Sequence, residues 1–175
     1  MDEPDRRARF EEVLLPHLPA AYNLARWLTR DDHDAEDVVQ EAYLRAFRFF
    51  DGFQGGDGRA WFLAIVRNTC YTWLHRNRPP EPTAPFDEAL PGLSNEVLGP
   101  DELLQRSDAR ASLHQALEEL PPEFREAVVL RELEALSYKE IAAVTELAAG
   151  TVMSRLARGR DRLRDGLGKH MREGA

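Results

Sequence analysis

The sequence predicts an all-α protein of two small helical domains, a helical bundle followed by a helix–turn–helix unit, joined by a proline-rich acidic linker. Three observations carry this. Apolar residues recur at helical spacing on both sides of the chain's centre, and nothing resembles a run of alternating strands. The middle holds Pro79, Pro80, Pro82, Pro85, Pro91 and Pro100 with Gly92 and Gly99, and proline lacks a backbone donor and breaks helices. Near the C-terminus, Arg155, Arg158, Arg160, Arg162, Arg164 and Lys169 are opposed only by Asp161 and Asp165, in a chain of formal net charge −8. The resulting division is 1–78, a linker over 79–106, and 107–175.

Taken in order, residues 10–30 give a first helix interrupted near Pro16 and Pro19. The next carries the stripe Ala35, Val38, Val39, Ala42, Ala46, Phe47 and Phe50. Asp34 is its expected N-cap, with Glu36 and Asp37 in the first turn, where carboxylates suit the helix dipole. After the loop Gly55-Gly56-Asp57-Gly58, residues 60–76 form a helix with Trp61, Ile65 and Leu74 facing inward. In the second half a helix over 108–120 is broken by Pro121-Pro122, and another runs from Glu123 to about Glu134. Ser137 and Glu140 form a capping box. That helix ends near Thr145, and the last begins near Ala149. Two short helices about a tight turn, the second one basic, make a helix–turn–helix.

Composition narrows the function. At 175 residues, 43% hydrophobic and 31% charged, the chain is globular, each half near the size where one core only just suffices. No apolar run approaches the roughly 20 residues that span a membrane, so no membrane insertion is expected. The first residues lack a signal peptide's apolar stretch, which places the protein in the cytoplasm. With Ala175 soon after the basic helix, no further C-terminal regulatory domain is expected. Cys70 is the only cysteine, which excludes an internal disulfide and a multi-cysteine zinc site. On an apolar helix it reads as buried packing rather than a redox sensor. The five histidines are scattered; no metal, cofactor or catalytic residue is expected.

Charge is segregated into surfaces. In the last helix Val152, Leu156 and Leu163 should pack on Ile141 and Val144. Met153, Ser154, Ala157 and Arg158 then fall toward the opposite side of the end that enters a major groove in such motifs. Arg158 and Ser154 suit a base edge or a phosphate, and Met153 or Ala157 a thymine methyl. A positive helix on an acidic protein calls for a negative partner, and DNA is the candidate. On the acidic helix the core stripe leaves Asp37, Gln40 and Glu41 outside, a docking face for a basic partner, since phosphates repel carboxylates. The run from Trp61 to Arg78 has more aromatics than one face buries, interleaved with Arg67, Asn68, Arg76 and Arg78. Interleaved rings and cations are how single-stranded bases are stacked and their backbone held.

The motifs Asp34-Ala-Glu-Asp-Val-Val-Gln-Glu-Ala-Tyr-Leu-Arg-Ala-Phe47, Arg59-Ala-Trp-Phe-Leu-Ala-Ile-Val-Arg-Asn68, Leu120-Pro-Pro-Glu-Phe-Arg125, Tyr138-Lys-Glu-Ile-Ala142 and Gly150-Thr-Val-Met-Ser-Arg-Leu-Ala-Arg158 follow one another around the proline-rich segment. In this order they resemble the bacterial RNA polymerase sigma factors of the sigma-70 family, specifically the extracytoplasmic-function group, which keeps only regions two and four. The resemblance covers nearly all of residues 10–170. It implies that Asp37, Gln40 and Glu41 dock on the polymerase β′ clamp, with the β flap as a second polymerase contact. Arg67, Asn68, Tyr71 and Arg76 would capture the melted −10 strand. Met153, Ser154, Arg155, Ala157 and Arg158 would read the −35 duplex, with Arg160 and Arg162 on phosphates. The acidic linker, without a base over 79–105, would thread a basic polymerase channel, and an anti-sigma protein would hold the factor inactive.

Two positions depart from the family pattern: Glu146 stands where the turn usually has glycine, and Thr72 where aspartate is frequent. Two other readings compete: a helix–turn–helix repressor or activator acting alone, which leaves the acidic helix and aromatic run idle, and a metal-dependent hydrolase using the Asp31–Glu41 carboxylates, which lack a converging ligand set.

Overall fold

The computed structural model describes residues 2–77 and 106–173. The expected linker falls outside the described residues except for its last position. Among the described residues every regular element is helical. In the first half these are α1 (Glu3–Leu14), a 3-10 turn (Leu15–His17), α2 (Leu18–Thr29), α3 (Asp32–Arg48), a second 3-10 turn (Phe50–Gly52) and α4 (Gly58–Asn77). In the second half they are α5 (Arg106–Glu118), α6 (Pro122–Val128) continued by a π turn (Val129–Leu133), α7 (Tyr138–Thr145) and α8 (Ala149–Glu173).

Pro16 and Pro19 both sit in the first turn of a helical segment, where the missing N–H has no partner to lose. A single 3-10 turn therefore joins α1 to α2. The cap of α3 differs from expectation. Asp31, extended at φ −150° and ψ 134°, accepts the Asp34 amide at 3.0 Å, so Asp34 already lies inside the helix. Of these two acids, three residues apart, the one outside the first turn has the geometry to cap it.

The inner face of α4 also differs. Phe62, Leu63, Val66 and Cys70 are fully buried, whereas Trp61, Ile65 and Leu74 are half-buried. The helix begins at Gly58 and lies under α2 and α3, so its buried face is one residue out of register with the expected one. Trp61 instead closes an aromatic edge, its ring 5.1 Å from Phe53 and 6.2 Å from Phe50. Phe10 of α1 is the hub of this end, meeting Tyr43, Phe47 and Phe50 edge-to-face at 4.9, 5.1 and 5.3 Å, a favoured ring geometry.

In the second half Pro122 opens α6, and the fully buried Arg125 turns back over the preceding break. Its guanidinium donates to the carbonyls of Glu118 and Leu120 at 3.1 and 2.7 Å, satisfying acceptors that the end of α5 leaves open. The capping box forms reciprocally: the Glu140 amide donates to Ser137 Oγ and the Ser137 amide to Glu140 Oε1, each at 3.1 Å. Glu146 ends α7 in the left-handed region at φ 59°, ψ 32°. α8 crosses close to α6 at Gly159, where a Cβ would lie 2.8 Å from Val128 Cγ2 and 3.3 Å from the Phe124 carbonyl oxygen.

The two halves are not separate bodies. α4 packs on α7 and α2 on α6. One apolar core runs from Phe10, Leu24, Leu28, Phe62 and Leu63 through to Leu130, Leu136, Ile141, Val144, Val152 and Leu156. A smaller cluster of Leu117, Leu120, Phe124 and Val128 takes Trp27 from the first half. Each half supplies core that the other completes, consistent with the small size of either alone.

Candidate nucleic-acid interface

The acidic face stands as expected on α3. Asp37 and Gln40 are exposed, while Ala35, Val38, Ala42 and Ala46 turn to the core. Glu41 is half-buried and pairs with Arg45 one turn on at 2.9 Å. Leu44, one turn on from Gln40, is 63% exposed, and Phe49, just past the end of α3, is 60% exposed.

α4 divides its expected strand-capture residues between two surroundings. Asn68 and Arg76 are exposed. Arg67 and Tyr71 turn instead toward the second half, where both meet Glu126 of α6. Arg67 Nε donates to Glu126 Oε1 at 2.5 Å and the Tyr71 hydroxyl to Oε2 at 2.8 Å. The Arg67 guanidinium also lies over the Tyr71 ring, 4.4 Å from its centre. Thr72 bonds back to the Asn68 carbonyl at 3.0 Å, so a hydroxyl engaged with its own helix replaces the carboxylate frequent there in the resembled family.

Glu126 is 1% exposed, and both its oxygens act as acceptors, as an ionised carboxylate's do. Burial pushes its carboxyl above the ordinary value, against the pull of Arg67 and Tyr71. Burial alone would lower the Arg67 guanidinium, but the adjacent carboxylate more than offsets this. Burial and the same carboxylate push the Tyr71 phenol well up, so it remains a proton donor. The thiol of Cys70, one residue away, is buried and also pushed up, the opposite of a reactive thiolate.

Sequence reasoning missed Glu126. The signal was present: an acid in the apolar run Phe124-Arg-Glu-Ala-Val-Val-Leu130 lies on a face that leaves no room for solvation.

The expected duplex-reading end of α8 is also divided. Met153 is 52% exposed at the N-terminal end, with Ser154, Ala157 and Arg158 half-buried beside it. Val152 and Leu156 are buried with Ile141 and Val144, as their spacing predicts. Arg155 lines a cleft with Glu123, Glu126 and Thr145, and its charge acts on Glu126. Arg160 donates to Glu132 from Nε at 2.8 Å, and Arg162, exposed, lies over the Phe124 ring at 5.1 Å. Among the described residues no three His, Cys, Asp or Glu side chains are placed to hold a metal ion, and no helix is long and apolar enough to cross a membrane.

Two family models match the chain. Residues 14–79 match the family model for Sigma-70 region 2, and residues 110–163 that for Sigma-70, region 4. The chain is 39% identical over 166 residues to the ECF RNA polymerase sigma factor SigE of Mycolicibacterium smegmatis, covering 95% of this chain and 64% of that protein. It thus spans somewhat under two thirds of that relative's length. It is 33% identical over 176 residues to the RNA polymerase sigma-H factor of Pseudomonas aeruginosa, covering 97% and 91% of the two. Among solved structures it resembles the sigma factor RpoE in complex with the anti-sigma factor NepR from Bartonella quintana, at 29% identity and TM-score 0.68 over 91% of this chain and 97% of that one. It also resembles CnrH in complex with the cytosolic domain of CnrY, at 25% identity and TM-score 0.65 over 93% and 90%. With an acidic helix face, an aromatic and cationic helix and a capped helix–turn–helix arranged in that order, the chain belongs to the extracytoplasmic-function group of the sigma-70 family of RNA polymerase sigma factors, transcription initiation factors rather than enzymes.

Proposed function

We propose that this chain binds core RNA polymerase in the cytoplasm and directs it to promoters carrying particular −10 and −35 elements. Residues 1–78 serve as the polymerase-docking and −10 half, 79–106 as the acidic connector through a basic polymerase channel, and 107–175 as the −35 half. The observation that carries the reading is the coexistence, on one chain, of an outward acidic face at Asp37 and Gln40 with an arginine-bearing recognition helix behind a formed capping box. A repressor acting alone has no use for the first.

Asp37, Gln40 and Glu41 dock on the β′ clamp, and the −35 half meets the β flap. Arg67, Asn68, Tyr71 and Arg76 hold the melted −10 strand by stacking and phosphate contact. Met153, Ser154, Arg155, Ala157 and Arg158 face the −35 bases, with Arg160 and Arg162 on flanking phosphates. The solved relatives bound to an anti-sigma factor and to CnrY support control of this chain by a protein that covers the same faces.

Run-off transcription from a genomic library, with core polymerase and with or without the protein, tests the reading. Promoter-specific transcripts are expected only with it, and their absence together with no binding to core polymerase overturns it. Within that assay Arg158→Ala should weaken promoters broadly, because a lost cation reduces phosphate affinity everywhere. Met153→Ala and Ala157→Ser should instead shift which −35 sequence is preferred. Three parallel profiles would refute that division of labour.

A further inference from the structure

The loop that opens α4 is held from outside itself. Gly55 and Gly56 take φ 90° and 91°, a region that side chains rarely enter, and a Cβ on either would meet nothing within 4 Å. Gln54, Gly55, Gly56 and Asp57 are all exposed. Two successive glycines carry little conformational preference of their own. The shape of this turn is therefore imposed at its ends.

Both ends rest on α1. At the first, Phe10 meets Phe50 edge-to-face at 5.3 Å, and Phe50 stacks on the half-buried Phe53 at 5.9 Å. Arg6 reaches the same turn. Its Nε donates to Asp51 Oδ1 at 2.8 Å and its Nη2 to the Phe47 carbonyl at 2.7 Å, with the guanidinium 4.5 Å from the centre of the Phe47 ring. That carbonyl lies at the end of α3, where the helix dipole favours a cation. The contacts leave the Arg6 side chain 16% exposed. Arg9 adds a second guanidinium over the Phe50 ring at 5.9 Å.

At the other end, Gly58 begins α4 directly against α1. A Cβ there would lie 2.7 Å from Val13 Cγ1 and 3.9 Å from Phe53 Cζ, so α1 comes as close as a glycine allows. The residues assigned to polymerase and DNA all lie on other helices.

We infer that α1 positions the loop over 53–57 and, through it, sets base preference at the −10 element, with Arg6 and Val13 as positioning residues that touch no DNA themselves. This rests on the reading of α4 as the helix of the melted −10 strand. Gln54 and the bare backbone at Gly55 and Gly56 offer hydrogen-bonding groups to an unstacked base. Such groups discriminate between bases only where their positions are fixed.

The test combines the full chain with core polymerase and sequences the transcripts from two promoter pools, one randomised over the −10 element and one over the −35 element. Arg6→Met keeps a stem over the Phe47 ring and loses both hydrogen bonds. It should relax −10 base preference by on the order of tenfold and leave −35 preference as it was. Asp51→Asn, at a side chain 80% exposed, should act in the same direction without disturbing the fold. Gly58→Ala drives a methyl into Val13 and should shift the same preference, and adding Val13→Ala makes room and should restore it.

Relative −10 preferences that stay unchanged in Arg6→Met and Gly58→Ala, whether or not total output falls, overturn the inference. So does a shift that moves both pools in parallel, or a Gly58→Ala shift that Val13→Ala leaves in place. If the unaltered chain itself shows no −10 preference, the underlying reading of α4 fails instead.

Discussion

At the scale of single residues, backbone conformation and charge placement matter more than residue class. Among the described residues three non-glycine residues take positive φ: Arg30 at 61°, Ala135 at 55° and Glu146 at 59°. Arg30 ends α2 and Glu146 ends α7, each at the left-handed position that closes many helices. Ala135 follows the π turn, is exposed, and has no polar side chain to hydrogen-bond locally. A left-handed non-glycine costs roughly 1–2 kcal/mol, part of which glycine's greater unfolded-chain entropy offsets. Ala135→Gly should therefore raise stability by about 0.5–1 kcal/mol in urea denaturation, with transcription unchanged. A loss of stability would show that the left-handed turn is not strained.

At the scale of elements, α7 depends on its first turn. Ser137 and Glu140 complete the capping box, and Glu140 also receives Arg59 from α4 at 2.6 Å. The Arg59 hydrogen bond, then the Ser137 amide, hold the Glu140 carboxyl at about 2, below its ordinary 4.5. A carboxyl depressed in the folded state contributes stability above its unfolded pKa and loses it as pH falls through the folded one. The contribution is thus present above about 4.5 and fades toward about 2. After discounting for solvent screening it is on the order of 1 kcal/mol.

Glu126, raised by burial, acts with the opposite sign: its share is present at low pH and fades as pH rises through its folded value. Glu140→Gln should flatten the acid-side fall of unfolding free energy between those limits, measured by denaturant titration at stepped pH. An unchanged slope would mean that the Arg59 contact does not form in solution.

At the scale of the molecule, the halves share one apolar core and polar ties that include those at Glu126, Glu134 and Glu140. Trp27 of α2 reaches into the small cluster of the second half, and its ring lies 4.7 Å from that of His114. The chain should therefore unfold in a single calorimetric transition at neutral pH. Trp27→Ala should cost about 2 kcal/mol, less than a fully buried ring would, and lower that transition by roughly 4–8 °C. Two resolved transitions in the unaltered chain would show the halves to be energetically independent.

Helical class, the order of elements, the α3 stripe, the capping box and the buried side of α8 could all be read from the sequence, because each depends on residues within a turn or two of one another. The outward placement of Asp37, Gln40 and Met153 followed from the same periodicity. What failed locally failed by a few residues: Asp31 rather than Asp34 caps α3, and α4 buries Phe62, Leu63 and Val66 rather than Trp61 and Ile65. Neither depends on spacing alone, since a cap is chosen by backbone angles and a buried face by the helices laid against it.

That Arg67, Tyr71 and Arg155 converge on Glu126 was decided only by tertiary structure. Those residues lie 59 and 55 positions from Glu126 in the case of Arg67 and Tyr71. Periodicity specifies which side of a helix is apolar, but the partner of a charge is set by which helices meet. In this chain side chains of α4 and α6 meet at Glu126, which engages Arg67 in an ion pair and Tyr71 in a hydrogen bond.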